Sequence, residues 1–96
     1  MGDIKEFVHS IKTDDQRIWG LIEGIREPYE KFLKNVKNYK QNKDEKSRNL
    51  AEEFSRQIFG DLMRIVDIAK KTNDQTTINL VEGIMQLVKD KMKELD

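Results

Sequence analysis

A chain of 96 residues corresponds to one small domain, here residues 1–96, in which 18 basic residues balance 18 acidic ones. This balance excludes the overall attraction of a strongly basic domain to nucleic acid or to an anionic membrane. The absence of cysteine excludes disulfides and thiolate chemistry. No apolar run approaches the roughly twenty residues of a membrane span, and the first residues lack the apolar segment of a secretion signal. We therefore expect a cytoplasmic protein that does not bind membranes.

A long apolar stripe runs from Ile4 to Tyr39. Its members recur every seven residues, which keeps one face of an α-helix apolar. They are Ile4, Ile11, Ile18, Ile25, Phe32 and Tyr39. A capping-box pattern at Asp3 and Glu6 predicts a short N-terminal helix over about residues 3–12.

A second helix is predicted over about residues 14–41, because Thr13 and Gln16 repeat the capping pattern. Pro28 lies inside this helix, where it removes a backbone donor and crowds the preceding turn. The apolar residues on either side of the proline stay in phase. We therefore expect one continuous, kinked helix.

Two more helices complete the predicted fold. Polar residues over 38–46 predict the first hairpin loop, and the helix after it covers about 45–72. The core face of that helix carries Leu50, Ala51, Phe54, Ile58, Leu62, Ile65 and Ala69. A tight turn at 72–74 precedes the last helix, about 75–95, with Asp74 as its N-cap. Its apolar face carries Ile78, Val81, Met85, Val88, Met92 and Leu95, and it is widened by Leu80, Ile84 and Leu87. The prediction is all-α: an antiparallel bundle of three long helices, with the short N-terminal helix as a fourth member.

Glycines inside the predicted helices are unexpected, because each costs about 1 kcal/mol relative to alanine. Projected at about 100° per residue, Gly20 and Gly24 fall opposite the apolar stripe, and Gly60 falls opposite the core face of its own helix. One interpretation is tolerated local weakness. The other is a partner surface that lets a second backbone approach closely. The apolar anchors beside these glycines would then be Trp19, Phe59 and Met63.

A basic stretch, the basic tip, surrounds the first hairpin. Its seven basic residues outnumber two acidic ones, which gives a local charge of +5 over residues 31–48. Nucleic-acid phosphates are one ligand of such a stretch. The residues that would contact them are Lys34, Lys37, Lys40, Lys43, Lys46 and Arg48. Lysines three apart wind around a helix instead of lining one side, so a solvated hairpin end and a site for an acidic protein patch are the other interpretations.

No complete catalytic motif accompanies these features. Glu27 and Glu30 form an E-x-x-E pair, half of the carboxylate set with which helical nucleotide pyrophosphohydrolases hold Mg²⁺, but the facing helix has no second pair at that spacing. His9 is the only histidine, so it can assemble neither a zinc site nor a nucleophile relay. We therefore expect a non-enzymatic protein with no metal, cofactor or small-molecule substrate.

The sequence favours a helical protein–protein interaction module that self-associates. The apolar face of the last helix is wider than two neighbouring helices and a short N-terminal helix can cover. This width predicts a homodimer through the last helix, the N-terminal helix or the surface around Trp19. The alternative is a nucleic-acid-associated helical protein, such as a small ribonucleoprotein subunit or a phage or plasmid factor, which binds phosphates at the basic tip. A helical regulator of another enzyme is a third interpretation.

Overall fold

A computed structural model describes residues 15–95, which form three α-helices and no strand within that range. Helix α1 spans Gln16–Asn42, α2 spans Glu45–Lys71, α3 spans Gln75–Met92, and a 3-10 turn follows at Lys93–Leu95. The all-α prediction is confirmed, with three long helices in the predicted order. The predicted N-terminal helix over 3–12, together with His9, lies outside the described residues.

Aspartate side chains determine where each helix begins. Asp15, Asp44 and Asp74 each accept a hydrogen bond from a backbone amide two or three residues further on, at 2.9, 3.1 and 3.1 Å. The predicted cap at Asp74 is therefore confirmed. Helix α1 begins at Gln16, two residues later than predicted, with Asp15 as its N-cap. The predicted cap at Thr13 lies outside the described residues.

Helix α1 runs without a break through Pro28, as predicted, and Pro28 is buried. It ends where Lys43 adopts a left-handed backbone conformation with φ of 53°, and the Lys43 amide donates to the Tyr39 carbonyl at 2.7 Å. Only Lys43 and Asp44 link α1 to α2, so the link is shorter than the loop predicted over 38–46. The reason is that a left-handed C-cap followed directly by an N-cap reverses the chain in two residues.

Helix α2 is the central element of the bundle. Helix α1 packs along one flank of α2 and α3 packs along another, whereas α1 and α3 touch each other sparingly. Large apolar side chains with less than 2% exposure come from all three helices and from the 3-10 turn. They include Ile18, Phe32, Ile58, Leu62, Ile65, Ile84 and Leu95.

Four predicted core residues are only half-buried: Leu50, Phe54, Met85 and Met92. Of these, Phe54, Met85 and Met92 pack against the core. Phe54 leans toward α1, where the Lys31 ammonium lies 5.9 Å from its ring centre. In α3 the fully buried positions include Val81, Ile84 and Val88, so the inward face is centred on them and the methionines sit beside it. Periodicity therefore predicted the apolar face of α3 correctly, but it placed the centre of that face nearer to Met85 and Met92 than the structure does.

An ion pair joins α1 to the 3-10 turn at one end of the bundle. The Lys40 ammonium lies 2.7 Å from one carboxylate oxygen of Glu94, and the Lys91 ammonium lies 3.1 Å from the other. The hydrogen bond from Lys40 is the main cause that lowers the pKa of Glu94, and the bond from Lys91 is the second. The ionised form of Glu94 is therefore favoured by folding.

We expect Glu94→Gln to lower the free energy of unfolding at pH 7 by about 0.5 kcal/mol, because the ion pair is partly exposed. A lowered pKa in the folded state adds stability above the ordinary pKa of 4.5, and this stability is lost as the pH falls through the folded value. Urea denaturation of both proteins should therefore show a difference at pH 7 that shrinks as the pH falls below 4.5. Glu30→Gln is the control, since Glu30 makes no ion pair with another described residue. A difference that is constant with pH would contradict the prediction.

Candidate interaction surface

The six residues predicted to form a partner surface all lie at least partly at the surface of the bundle. The three glycines are exposed, and Met63 exposes 52% of its surface. Trp19 and Phe59 are half-buried and pack against the core. Among residues 15–95, Met63 is the one large apolar residue in the exposed class.

Packing among residues 15–95 does not explain the exposed glycines. A Cβ atom built at Gly20, Gly24 or Gly60 meets no heavy atom within 4 Å beyond the local helix backbone. None of these glycines has a positive φ that a larger residue would disfavour. Alanine would therefore fit at each position, with the usual gain in helix propensity of about 1 kcal/mol.

The six residues do not form a single surface. Gly24 lines a groove of about 340 Å³ between α1 and α2, together with Phe54. Trp19 lies five residues before Gly24, and Phe59 lies five residues after Phe54, so each points about 140° away from the groove. Trp19 therefore lies on the other flank of α1, and Phe59 lies on the other flank of α2.

The outer face of α2 brings three of the six residues together: Phe59, Gly60 and Met63. Gly60 and Met63 are three positions apart, the spacing of direct neighbours on a helix surface. Phe59 lies one turn before Met63 on the same side. An exposed apolar side chain thus lies next to a stretch of uncovered backbone.

Exposed residues continue this face in both directions, with alternating spacings of three and four. The full set, the α2 strip, is Glu53, Arg56, Gly60, Met63, Asp67 and Lys70, and all six are exposed. Spacings of three and four keep residues on one line along a helix, as in the contact positions of a coiled coil. Its four charged side chains make no ion pair within 4 Å with another described residue. The same spacing is present in the sequence, but charged residues on an exposed helix face are common, so the sequence alone did not identify the strip as a contact surface.

The basic tip does not present one cluster of cations. Lys40 is paired with Glu94, and Arg48 and Lys43 lie over the Tyr39 ring at 5.8 and 5.2 Å from its centre. Half of the predicted phosphate-contacting residues therefore contact other parts of the chain. The other half, which make no ion pair with a described residue, are Lys34, Lys37 and Lys46.

The E-x-x-E pair lies on the exposed side of α1. A Glu27 carboxylate oxygen lies 3.0 Å from the Lys31 ammonium, and Glu30 is exposed. Among the described residues no three His, Cys, Asp or Glu side chains lie close enough to hold a metal ion together. The carboxylates that a magnesium site would need beyond this pair do not converge on it in this part of the chain.

Comparison of the chain with protein-family models, with curated proteins and with solved structures gives no match in any of the three. None of the helices within residues 15–95 has the length and apolar character needed to cross a membrane. Fold and surface together define an all-α helical bundle. Its own residues, above all those of the α2 strip, are therefore what indicates its function.

Proposed function

We propose that this protein is a non-enzymatic helical interaction module that self-associates, with the α2 strip as its contact surface. The observation that carries the proposal is Met63, which exposes 52% of its surface beside the uncovered backbone of Gly60. Complete burial of a methionine side chain is worth about 1.5–3 kcal/mol, so a partner that covers Met63 gains part of that free energy. Gly60 weakens its own helix without relieving any contact with another described residue, and a closely approaching partner would give it a role.

The described surface supports α2 as the contact helix more than α3 or the flank around Trp19. The apolar residues of α3 are buried or half-buried, and most of those that are half-buried pack against the core. Trp19 also packs against the core and so has less surface to offer a partner. Among residues 15–95, Met63 is the one large apolar residue in the exposed class, so it has surface left for a partner to bury.

The dimensions of the strip predict a weak, concentration-dependent association. From Glu53 to Lys70 the strip is about 26 Å long, at about 1.5 Å per residue. One helix of this length buries less than the roughly 800 Å² per partner of a standard stable interface. We therefore expect a dissociation constant in the micromolar range or weaker.

Light scattering after size exclusion, over a concentration series, tests the proposal. The unaltered chain should change from monomer to dimer, and Met63→Lys should raise the dissociation constant at least tenfold, because it places a charge in the apolar centre of the contact. Its thermal unfolding should change little, since Met63 is exposed. Gln86→Lys is the matched control: it adds the same charge at an exposed position of α3, outside the strip.

Three results would contradict the proposal. A chain that stays monomeric at millimolar concentration does not self-associate. If Met63→Lys and Gln86→Lys weaken association equally, the effect is one of net charge and not of the strip. If Trp19→Ala dissociates the dimer and Met63→Lys does not, the contact lies on the other side of the bundle. A monomer that binds a DNA duplex and loses that binding on Lys37→Glu would favour the nucleic-acid alternative instead.

A further inference from the structure

We infer that two copies of the chain pair antiparallel through their α2 helices, with Met63 of each copy seated over Gly60 of the partner subunit. This inference rests on the proposed self-association and adds its geometry. In a twofold dimer every contact occurs twice: if residue i of one copy contacts residue j of the partner subunit, then residue j of the first copy contacts residue i of the partner subunit. A twofold axis that crosses α2 between Asp61 and Leu62 relates Gly60 to Met63 in this way.

The same axis matches every charge of the strip with an opposite charge. Moving outward from the centre, Arg56 meets Asp67 of the partner subunit, and Glu53 meets Lys70 of the partner subunit. All four side chains are exposed and make no ion pair within 4 Å with a described residue of their own chain. No ion pair within 4 Å thus joins these charges to a described residue of their own protomer, whereas the proposed pairing places each of them opposite a charge of the other sign. Each pair occurs twice in the dimer.

Charge order also selects the antiparallel orientation. In a parallel pair in register, Arg56 would face Arg56 of the partner subunit and Asp67 would face Asp67 of the partner subunit. Like charges opposed across a contact disfavour that arrangement. The antiparallel pair replaces each of these repulsions with an attraction.

The centre of the strip has the shape that this pairing requires. In coiled coils a side chain of one helix fits into a hole between four residues of the other. For Met63 under this axis, the hole lies between Arg56, Phe59, Gly60 and Met63 of the partner subunit. Gly60 forms the floor of the hole, because no heavy atom beyond the local helix backbone lies within 4 Å of the place where its Cβ would be. Phe59 supplies an apolar wall.

A charge exchange tests the pairing. Arg56→Glu alone and Asp67→Arg alone should each raise the dissociation constant at least fivefold, because each change disrupts both copies of the pair. The double variant R56E/D67R should return toward the value of the unaltered chain, since the two charges are then exchanged and still opposite. Lys34→Glu is the control, at an exposed lysine of α1 outside the strip. If the dissociation constant of the double variant rises by the product of the two single-variant factors, the two changes are independent and the pairing is overturned.

Disulfide cross-linking tests the orientation, and the chain contains no natural cysteine that could interfere. A mixture of the Glu53→Cys and Lys70→Cys variants should cross-link on mild oxidation. Either variant alone should not, because its two thiols would lie about 26 Å apart in the antiparallel dimer. Cross-linking of Glu53→Cys with itself would show a parallel dimer.

The outcomes separate the geometry from the proposed function. Light scattering could detect a dimer whose dissociation constant does not respond to the charge exchange and whose cysteine variants do not cross-link in the mixture. That result would agree with self-association and overturn this pairing. A monomer under all conditions would overturn both. Rescue by the double variant, together with cross-linking only in the mixture, supports both.

Discussion

Leu62→Ala should lower the free energy of unfolding by about 3–4 kcal/mol, a large loss for one substitution. Leu62 has 0% exposure in α2, the helix against which α1 and α3 both pack. Truncation removes buried methyl groups and leaves a cavity. The surrounding helices relax only partly into it, because each of them is also packed elsewhere in the core. Urea denaturation followed by circular dichroism measures the effect. For a domain of this size the loss is a large part of the roughly 5–15 kcal/mol that holds it folded.

Met63→Ala is the matched control for Leu62→Ala, because it shortens the next side chain on the same helix. Met63 exposes 52% of its surface, so we expect a loss below about 1 kcal/mol. The two measurements are best made at a protein concentration at which the chain is monomeric, so that self-association does not add to stability. Equal losses would contradict the burial of Leu62 and the exposure of Met63.

Replacing Gly20, Gly24 and Gly60 together with alanine should raise the free energy of unfolding by about 2–3 kcal/mol. Each alanine fits, because no heavy atom lies within 4 Å of the added carbon beyond the local helix backbone. The gain comes from the smaller conformational freedom of alanine in the unfolded chain and from its higher helix propensity. The midpoint of thermal unfolding should rise by about 10 °C or more. Three single variants that are neutral or destabilising would contradict this expectation.

The single glycine variants also distinguish a structural role from a role in association. Gly60→Ala should stabilise the protomer and yet weaken the dimer, because it fills the floor of the hole that receives Met63. Gly20→Ala should stabilise the protomer by a similar amount and leave the dimer unchanged, since Gly20 lies on α1 and outside the strip. Equal behaviour of the two variants in light scattering would remove Gly60 from the contact.

Much of the candidate site could be predicted from sequence, because helical projection is a local rule. The outward positions of Gly20, Gly24 and Gly60 follow from about 100° per residue, and all three are exposed. The division of the six residues over different flanks could not be predicted, since it depends on where α1 and α3 lie around α2. The charged residues of the α2 strip could not be predicted as part of the site either. Arg56 and Asp67 can be matched across a dimer only once it is known which side of α2 is exposed.

By itself, the sequence determined the helical class, the three long helices, the cap at Asp74 and the outward glycines. These features depend on residues within one or two turns of each other, and such short-range rules of periodicity and capping can be read along the chain. Only the tertiary structure decided that Trp19 packs against the core whereas Met63 remains exposed, and that Lys40 meets Glu94. The physical reason is that burial and ion pairing join residues from different helices, and which residues meet is decided by the packing of those helices and not by any local pattern.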